Sequence, residues 1–226
     1  MINSKIIPLS GKKTDAIIFD LGGVLLNLDF NRSINAFIEI GFKNVEQELS
    51  RLLVSQPSGN NITFFHKFET GLISSAEFRN ELRKHAGLDI PDADIDMAWT
   101  AMLRDMHEEN VNILKKLKDS CRLFLLSNTN EIHIGALLEN RINIKGFAEL
   151  EKLFEKVYYS HEVKMRKPDR DIFDHVLNDA GLKPENTLFI DDSAHNIETA
   201  REAGIVAFHH QRNGSLAEVF EIGHTG

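Results

Sequence analysis

The 226-residue chain reads as an α/β protein with a doubly wound parallel sheet and a small all-helical insertion after the first strand. Three observations predict this. Short apolar runs recur: AIIF before Asp20, LFLL before Ser127 and TLFI before Asp191. Each has the length and unbroken apolarity of a strand covered on both faces, as in parallel sheets. Helical stretches separate the second run from the third, and the segment from about Asn27 to His107 holds helix-like pieces with no strand pattern among them.

Taken in order, AIIF leads to Asp20 and a turn containing Gly22. The insertion follows, with the pieces RSINAFIEIGF, VEQELSRLLVSQ, ITFFHKFETG, SAEFRNELRKHAG and DIDMAWTAMLRDM. Pro57, Gly59, Gly71, Gly87 and Pro91 punctuate them as turn residues do. EENVNILKKLKDS then predicts a helix before the LFLL strand, and DRDIFDHVLNDAG a helix before TLFI, stopped by Gly181 just past its end. A further strand, IVAFHH, follows Gly204. The division expected is a sheet-bearing core over 1–26 and 108–226, with a helical lobe over 27–107. Ligands of such sheets sit at the carboxyl ends of the strands.

The formal net charge of -8 argues against nucleic acid or an anionic membrane as partner, since neither is attracted to an acidic surface. Binding a phosphate would then require a local cluster of donors or a metal. Cys121 is the only cysteine, so an intrachain disulfide is excluded; within CRLFLL it reads as a buried thiol. MINSKIIPLSGKK lacks an apolar stretch long enough for a signal peptide, and no later run approaches a membrane span, so a cytoplasmic location is expected.

Four places carry chemistry. In IIFDLGGVLL a strand ends on Asp20, a carboxylate able to attack phosphorus, or equally to cap the turn. In LFLLSNTN, Ser127 and Asn128 follow a strand, where a hydroxyl and backbone N–H groups can hold phosphate oxygens; alone, this is an ordinary loop. In HEVKMRKPDRDIF, Lys167 precedes Pro168 at the head of a helix and can neutralise a carboxylate and a phosphate together. In TLFIDDSAHNIETAREAGI, adjacent Asp191 and Asp192 repel unless a cation or a positive side chain lies between them, and hard oxygen ligands favour Mg²⁺.

The order of nucleophile, hydroxyl, lysine and acidic pair resembles the four motifs of the haloacid dehalogenase (HAD) superfamily, across nearly the whole chain outside the insertion. The resemblance implies that Asp20 is the nucleophile and Lys167 its cationic partner. It places Ser127, Asn128 and Lys167 around the phosphate. Mg²⁺ falls to Asp20, the Gly22 carbonyl and Asp192, with Asp191 direct or through water, and the helical lobe becomes a cap that selects substrates. FDLGGV, LDFNR, LSNTN, MRKP and DDSAHNIETA resemble more narrowly the branch containing α-glucose-1-phosphate phosphatase and the phosphatase domain of soluble epoxide hydrolase. That implies a Mg²⁺-dependent phosphatase acting on a small phosphorylated metabolite, sugar phosphates included.

One position departs from the family pattern. Most HAD phosphatases carry a second Asp where this chain has Gly22, and that Asp protonates the leaving oxygen. Asp29 is a nearby carboxyl and equally a helix-capping residue; Arg32 could reach a substrate or form an exposed ion pair. Trp99 reads as packing between helices before it reads as a pocket wall, and His209–His210 as strand-end residues. Two rival readings stand beside the phosphatase: a binding or regulatory protein that lost its general acid, and a metal-free dehalogenase, against which Asp191–Asp192 speaks.

Overall fold

The computed structural model describes residues 3–4, 14–43, 63–142, 144 and 146–221. The expected helical piece VEQELSRLLVSQ and the turn residues Pro57 and Gly59 lie outside the described residues. In chain order the strands are β1 (Asn3–Ser4), β2 (Ala16–Phe19), β3 (Arg122–Ser127), β4 (Lys156–Tyr159), β5 (Thr187–Asp191), β6 (Val206–His209) and β7 (Phe220–Glu221). Five of them form a wholly parallel sheet in the order β4-β3-β2-β5-β6, and β1 pairs antiparallel with β7. The three apolar runs are thus the three central strands.

Alternation along these strands feeds two separate apolar clusters. Ile17, Phe19, Leu123, Leu125, Leu188 and Ile190 point to one face and meet α5 (Glu108–Lys118) and α6 (Glu131–Leu138) through Ile113, Leu114, Leu117, Ile134 and Leu137. Ala16, Ile18, Phe124, Leu126 and Phe189 point to the other and meet α9 (Arg170–Asp179) and α10 (Ala194–Glu202). Helices on both faces make the sheet doubly wound. Gly181, with φ +62°, ends α9 as the sequence predicts. Full burial of each large aliphatic or aromatic side chain is worth about 1.5–3 kcal/mol, so the unbroken apolarity of AIIF, LFLL and TLFI is what a two-sided core demands.

The segment after β2 forms α1 (Phe30–Glu39), α2 (Phe64–Glu69), α3 (Ser75–Ala86) and α4 (Asp92–Thr100). Local signals set their ends: Asp29 caps α1, Ser74 and Glu77 form a capping box on α3, and Gly87 closes α3 at φ +65°. Their apolar sides enclose a cluster rich in rings, with Phe37, Phe65, Phe68, Phe78 and Trp99 all buried. Phe68 stacks on Phe78 at 4.1 Å between centroids. The entering and leaving chains are tied together, since Asn27 N–H donates to the Asp105 carbonyl (3.0 Å) and Arg104 N–H to that of Asn27 (2.9 Å).

The structure adds elements the sequence reading lacks: β4, the β1–β7 pair, α6, and the short helices α7 (Phe147–Glu151) and α8 (Ser160–Val163). KVYY in β4 is an edge strand of four residues, half of it outside the core, so it lacks the apolar run that marks the central strands. Among the described residues no helix is long and apolar enough to cross a membrane.

Candidate active site

Strand register assembles the site. Phe19 is level with Leu125 on one side and with Ile190 on the other. The next residue after Phe19, Asp20, therefore stands beside Asp191, with Ser127 one step further along β3. All three are buried, at 8%, 0% and 3% exposure. The Asp20 N–H still donates to the Ile190 carbonyl at 2.9 Å, so the sheet itself fixes this carboxylate.

Lys167 reaches the strand ends from the loop before α9. Its Nζ lies 2.9 Å from Asp20 Oδ1 and 2.6 Å from Asp191 Oδ2, and it donates to the Leu126 carbonyl at 2.9 Å. At 1% exposure it is among the largest fully buried side chains. Burial works against its charge, but Asp191 and Asp20 outweigh that and hold its pKa above the ordinary lysine value. Asp20 is the complement. Burial pushes its carboxyl well above the usual carboxylate range, Lys167 pulls it down, and Asp191 and Asp192 push it up again.

Each loop is locked by its own polar contacts. The Asn128 carboxamide donates to the Lys167 carbonyl (2.7 Å) and accepts from the Lys167 N–H (2.9 Å). Asp191 Oδ1 accepts from Ser193 N–H at 2.8 Å, and Asn196 Nδ2 reaches both Asp191 oxygens at 2.9 and 3.1 Å. Asp192 pairs with the Arg212 guanidinium. Leu21 N–H donates to Asp20 Oδ1 at 2.7 Å.

The donor set fits a small hard cation. Asp20, Asp191 and Asp192 each present a ligand atom within 4.8 Å of the others. Three carboxylates against Lys167 and Arg212 leave the cluster one positive charge short, and its donors are all oxygens, as Mg²⁺ prefers. Asp191 already spends its oxygens on Lys167, Ser193 and Asn196, whereas Asp20 and Asp192 are less committed.

Gly22 and Gly23 form the turn below this cluster. A Cβ on Gly23, at φ +81°, would lie 2.6 Å from Asp192 Oδ2, so Asp192 packs directly on the bare backbone. A Cβ on Gly22 would meet only the tip of the Leu28 side chain, at 2.8 Å. Of these two, Gly23 is the glycine the geometry needs more, and it carries no role in the sequence analysis.

The cluster opens into a cleft of about 560 Å³, lined in part by Gly22, Ser127, Asn128 and Asp192 and, from the helical segment, by Phe30, Glu69, Trp99 and Met102. Asp29 and Arg32 are not among the lining residues; Asp29 accepts from Asn31 N–H as a helix cap, and Arg32 is exposed. Trp99 does both things considered for it: it packs against Phe37, Phe65 and Phe78 and lines the cleft. His209 ends β6 and contacts the Asp192 carbonyl at 3.0 Å. Asn196, Arg166, Glu69 and Arg212 are cleft residues that the sequence reading did not assign.

A buried lysine between two strand-end carboxylates, a third carboxylate beside them and a cleft above make a candidate hydrolase site on a doubly wound sheet. The model of the haloacid dehalogenase-like hydrolase family matches residues 14–204, and the chain belongs to that family. It is 28% identical over 192 residues to the D-ribitol-5-phosphate phosphatase of Bacteroides thetaiotaomicron, spanning 85% of this chain and 89% of that one. A solved HAD-family enzyme of the same organism, in complex with magnesium and inorganic phosphate, superposes with a TM-score of 0.78 at 39% identity, over 88% of this chain and 96% of that one. A HAD-like hydrolase of Porphyromonas gingivalis gives 0.79 at 32% identity, over 90% and 94%.

Proposed function

We propose that the protein is a Mg²⁺-dependent phosphatase that hydrolyses a small phosphorylated metabolite through an aspartyl phosphate on Asp20. One observation carries this reading: Lys167 Nζ bridges Asp20 and Asp191 in a pocket that also holds Asp192. An Asp20 oxygen adds to phosphorus as the bond from phosphorus to the substrate oxygen breaks. That electron pair departs with the alcohol oxygen, which is then protonated. Water next adds to phosphorus, releasing inorganic phosphate and restoring the carboxylate.

Lys167 holds Asp20 in place and offsets the charge that gathers on the transferring group. Ser127 and Asn128 frame the phosphate, Asn128 chiefly by fixing the Lys167 backbone. Asp20, the Gly22 carbonyl and Asp192, with Asp191 directly or through water, would hold Mg²⁺, which would supply electrostatic stabilisation of the phosphoryl oxygens. Gly22 offers no side chain to protonate the leaving oxygen, so that proton comes from water or from the substrate's surroundings.

The core is residues 1–26 and 108–226, and residues 27–107 form the cap. The separate ring cluster of the helical segment and the paired chain at Asn27 and Arg104 support that division. We place the protein in the cytoplasm, where phosphorylated metabolites made inside the cell are retained because a charged ester does not cross a bilayer unaided.

The test is phosphate release from a panel of sugar, polyol and nucleoside monophosphates, with Mg²⁺ and then with chelator. Turnover that needs Mg²⁺ and disappears in Asp20→Asn is expected. Halide release from haloacids without phosphate release would favour a dehalogenase, and no turnover at all a binding protein.

A further inference from the structure

The cleft contains a charged pair that chemistry at Asp20 does not use. Glu69 ends α2 in the helical segment, and Arg166 immediately precedes Lys167 in the sheet-bearing part. Their side chains meet at 3.2 Å (Arg166 Nη2 to Glu69 Oε2), largely buried, and both line the cleft that reaches Gly22, Ser127 and Asp192.

The loop bearing Glu69 is seated firmly. Ser160 Oγ donates to the Glu69 carbonyl and Lys164 Nζ to the Gly71 carbonyl, each at 2.6 Å. A Cβ on Gly71 would lie 2.2 Å from the His161 carbonyl oxygen, so this loop sits flush against α8. Yet the pair is not saturated. Arg166 Nε is buried with no hydrogen-bond partner, although a guanidinium carries five N–H donors. Burial pushes the Glu69 carboxyl up despite the arginine beside it, a sign that its charge is under-compensated.

We propose that Arg166 and Glu69 are the specificity residues that read neighbouring hydroxyls on the alcohol part of the substrate, Arg166 donating and Glu69 accepting. The substrate class is then the phosphate esters of polyhydroxy alcohols, open-chain polyols or sugars; this rests on the phosphatase reading above. A hydroxyl is both donor and acceptor, so a diol completes both partners. A second anionic group would satisfy Arg166 but meet Glu69 with like charge. An alkyl or prenyl chain would cover both charges and complete neither, which a buried pair tolerates poorly. Leu28, Phe30 and Met102, which also line the cleft, suit the C–H bonds of a carbohydrate chain.

The experiment is steady-state kinetics with Mg²⁺ on wild type, Glu69→Gln and Arg166→Lys. The substrates are D-ribitol 5-phosphate, glucose phosphates and 4-nitrophenyl phosphate, which has no hydroxyl to read. Each variant should lose roughly tenfold or more in kcat/KM on the best polyhydroxy substrate, mainly through KM, and under about threefold on 4-nitrophenyl phosphate. Arg166→Lys keeps the charge and loses the planar fork, so it separates recognition from mere neutralisation. Equal losses on both substrate types, or no loss on either, would overturn the proposal. So would a wild type that hydrolyses 4-nitrophenyl phosphate and no polyhydroxy phosphate, while leaving the phosphatase reading intact. A wild type that hydrolyses none of them, nor any nucleoside monophosphate of the panel above, removes the phosphatase reading itself, and this inference with it.

Discussion

Asn128 and Lys167 clasp each other through two hydrogen bonds, 2.7 and 2.9 Å, between one carboxamide and one residue's backbone N–H and C=O. The loop after β3 is thereby bonded to the loop that delivers the lysine, and the ammonium reaches Asp20 from a braced backbone. Removing the carboxamide leaves two backbone groups without those partners, at a cost of about 1–3 kcal/mol.

Asn128→Ala should therefore lower both thermal stability and kcat, the latter because Lys167 is no longer held against Asp20. Melting curves and initial rates check this. A variant with the wild-type melting temperature and kcat would show that the clasp contributes nothing.

Gly23 and Gly22 should respond differently to a methyl group. Gly23→Ala places a Cβ 2.6 Å from Asp192 Oδ2 at a φ of +81°, whereas Gly22→Ala meets only the end of Leu28. Backbone strain of this kind costs on the order of 1–3 kcal/mol, so Gly23→Ala should be the less stable protein. It should also displace Asp192 and weaken Mg²⁺ binding, measured by calorimetry, more than Gly22→Ala does. Equal Mg²⁺ affinities would separate Asp192 from the metal.

His133 makes stability sensitive to mild acid. Burial holds its imidazole down to about 4, against a weaker opposing pull from the Trp99 carbonyl, and the ring stacks on Trp99 at 5.1 Å. Above about pH 6.5 the ring is neutral in both folded and unfolded chains and contributes no pH dependence. As pH falls below that, the unfolded chain binds a proton that the folded protein refuses, and stability drops by about 3 kcal/mol by pH 4. NMR titration of the His133 ring should show no protonation between pH 7 and about 5. A ring titrating near its ordinary value would contradict this.

Gly22 makes the leaving group important. A general acid contributes roughly 10²–10⁴-fold, so without one the rate should depend steeply on how readily the alcohol oxygen leaves. Sugar 1-phosphates, whose anomeric oxygen is the better leaving group, should outrun their 6-phosphate isomers, and aryl phosphates should rank by phenol acidity. Gly22→Asp has room if Leu28 shifts, and it should flatten the ranking. A flat aryl series in the wild type, with chemistry rate-limiting, would reveal another proton donor. Asp29 is a poor one, being bonded to Asn31 as a helix cap outside the cleft lining.

What the sequence disclosed follows from locality. Asp20, Ser127 and Asp191 were readable because each ends an apolar run, and parallel register then brings them together without further information. Lys167 and Asp192 were readable by their place in the motifs. Arg166 and Glu69 were not, because their pairing depends on how α2 docks against α8, a contact that no local pattern encodes. The same holds for Arg212 on Asp192 and for Asn196 bridging the Asp191 oxygens. Gly23 escaped notice because its need arises from Asp192, far along the chain. Strand β4 was missed for a simpler reason, its four residues being a partly exposed edge.

In the proposed mechanism Asp20 carries the phosphoryl group. Acid-quenching the enzyme during turnover of 4-nitrophenyl phosphate and mapping its peptides by mass spectrometry tests it directly. One added phosphoryl mass is expected on the peptide containing Asp20, absent without Mg²⁺ and absent in Asp20→Asn, which should fold normally and lose turnover. Wild-type turnover by Asp20→Asn, or a phosphoryl group trapped on any other residue, would contradict it.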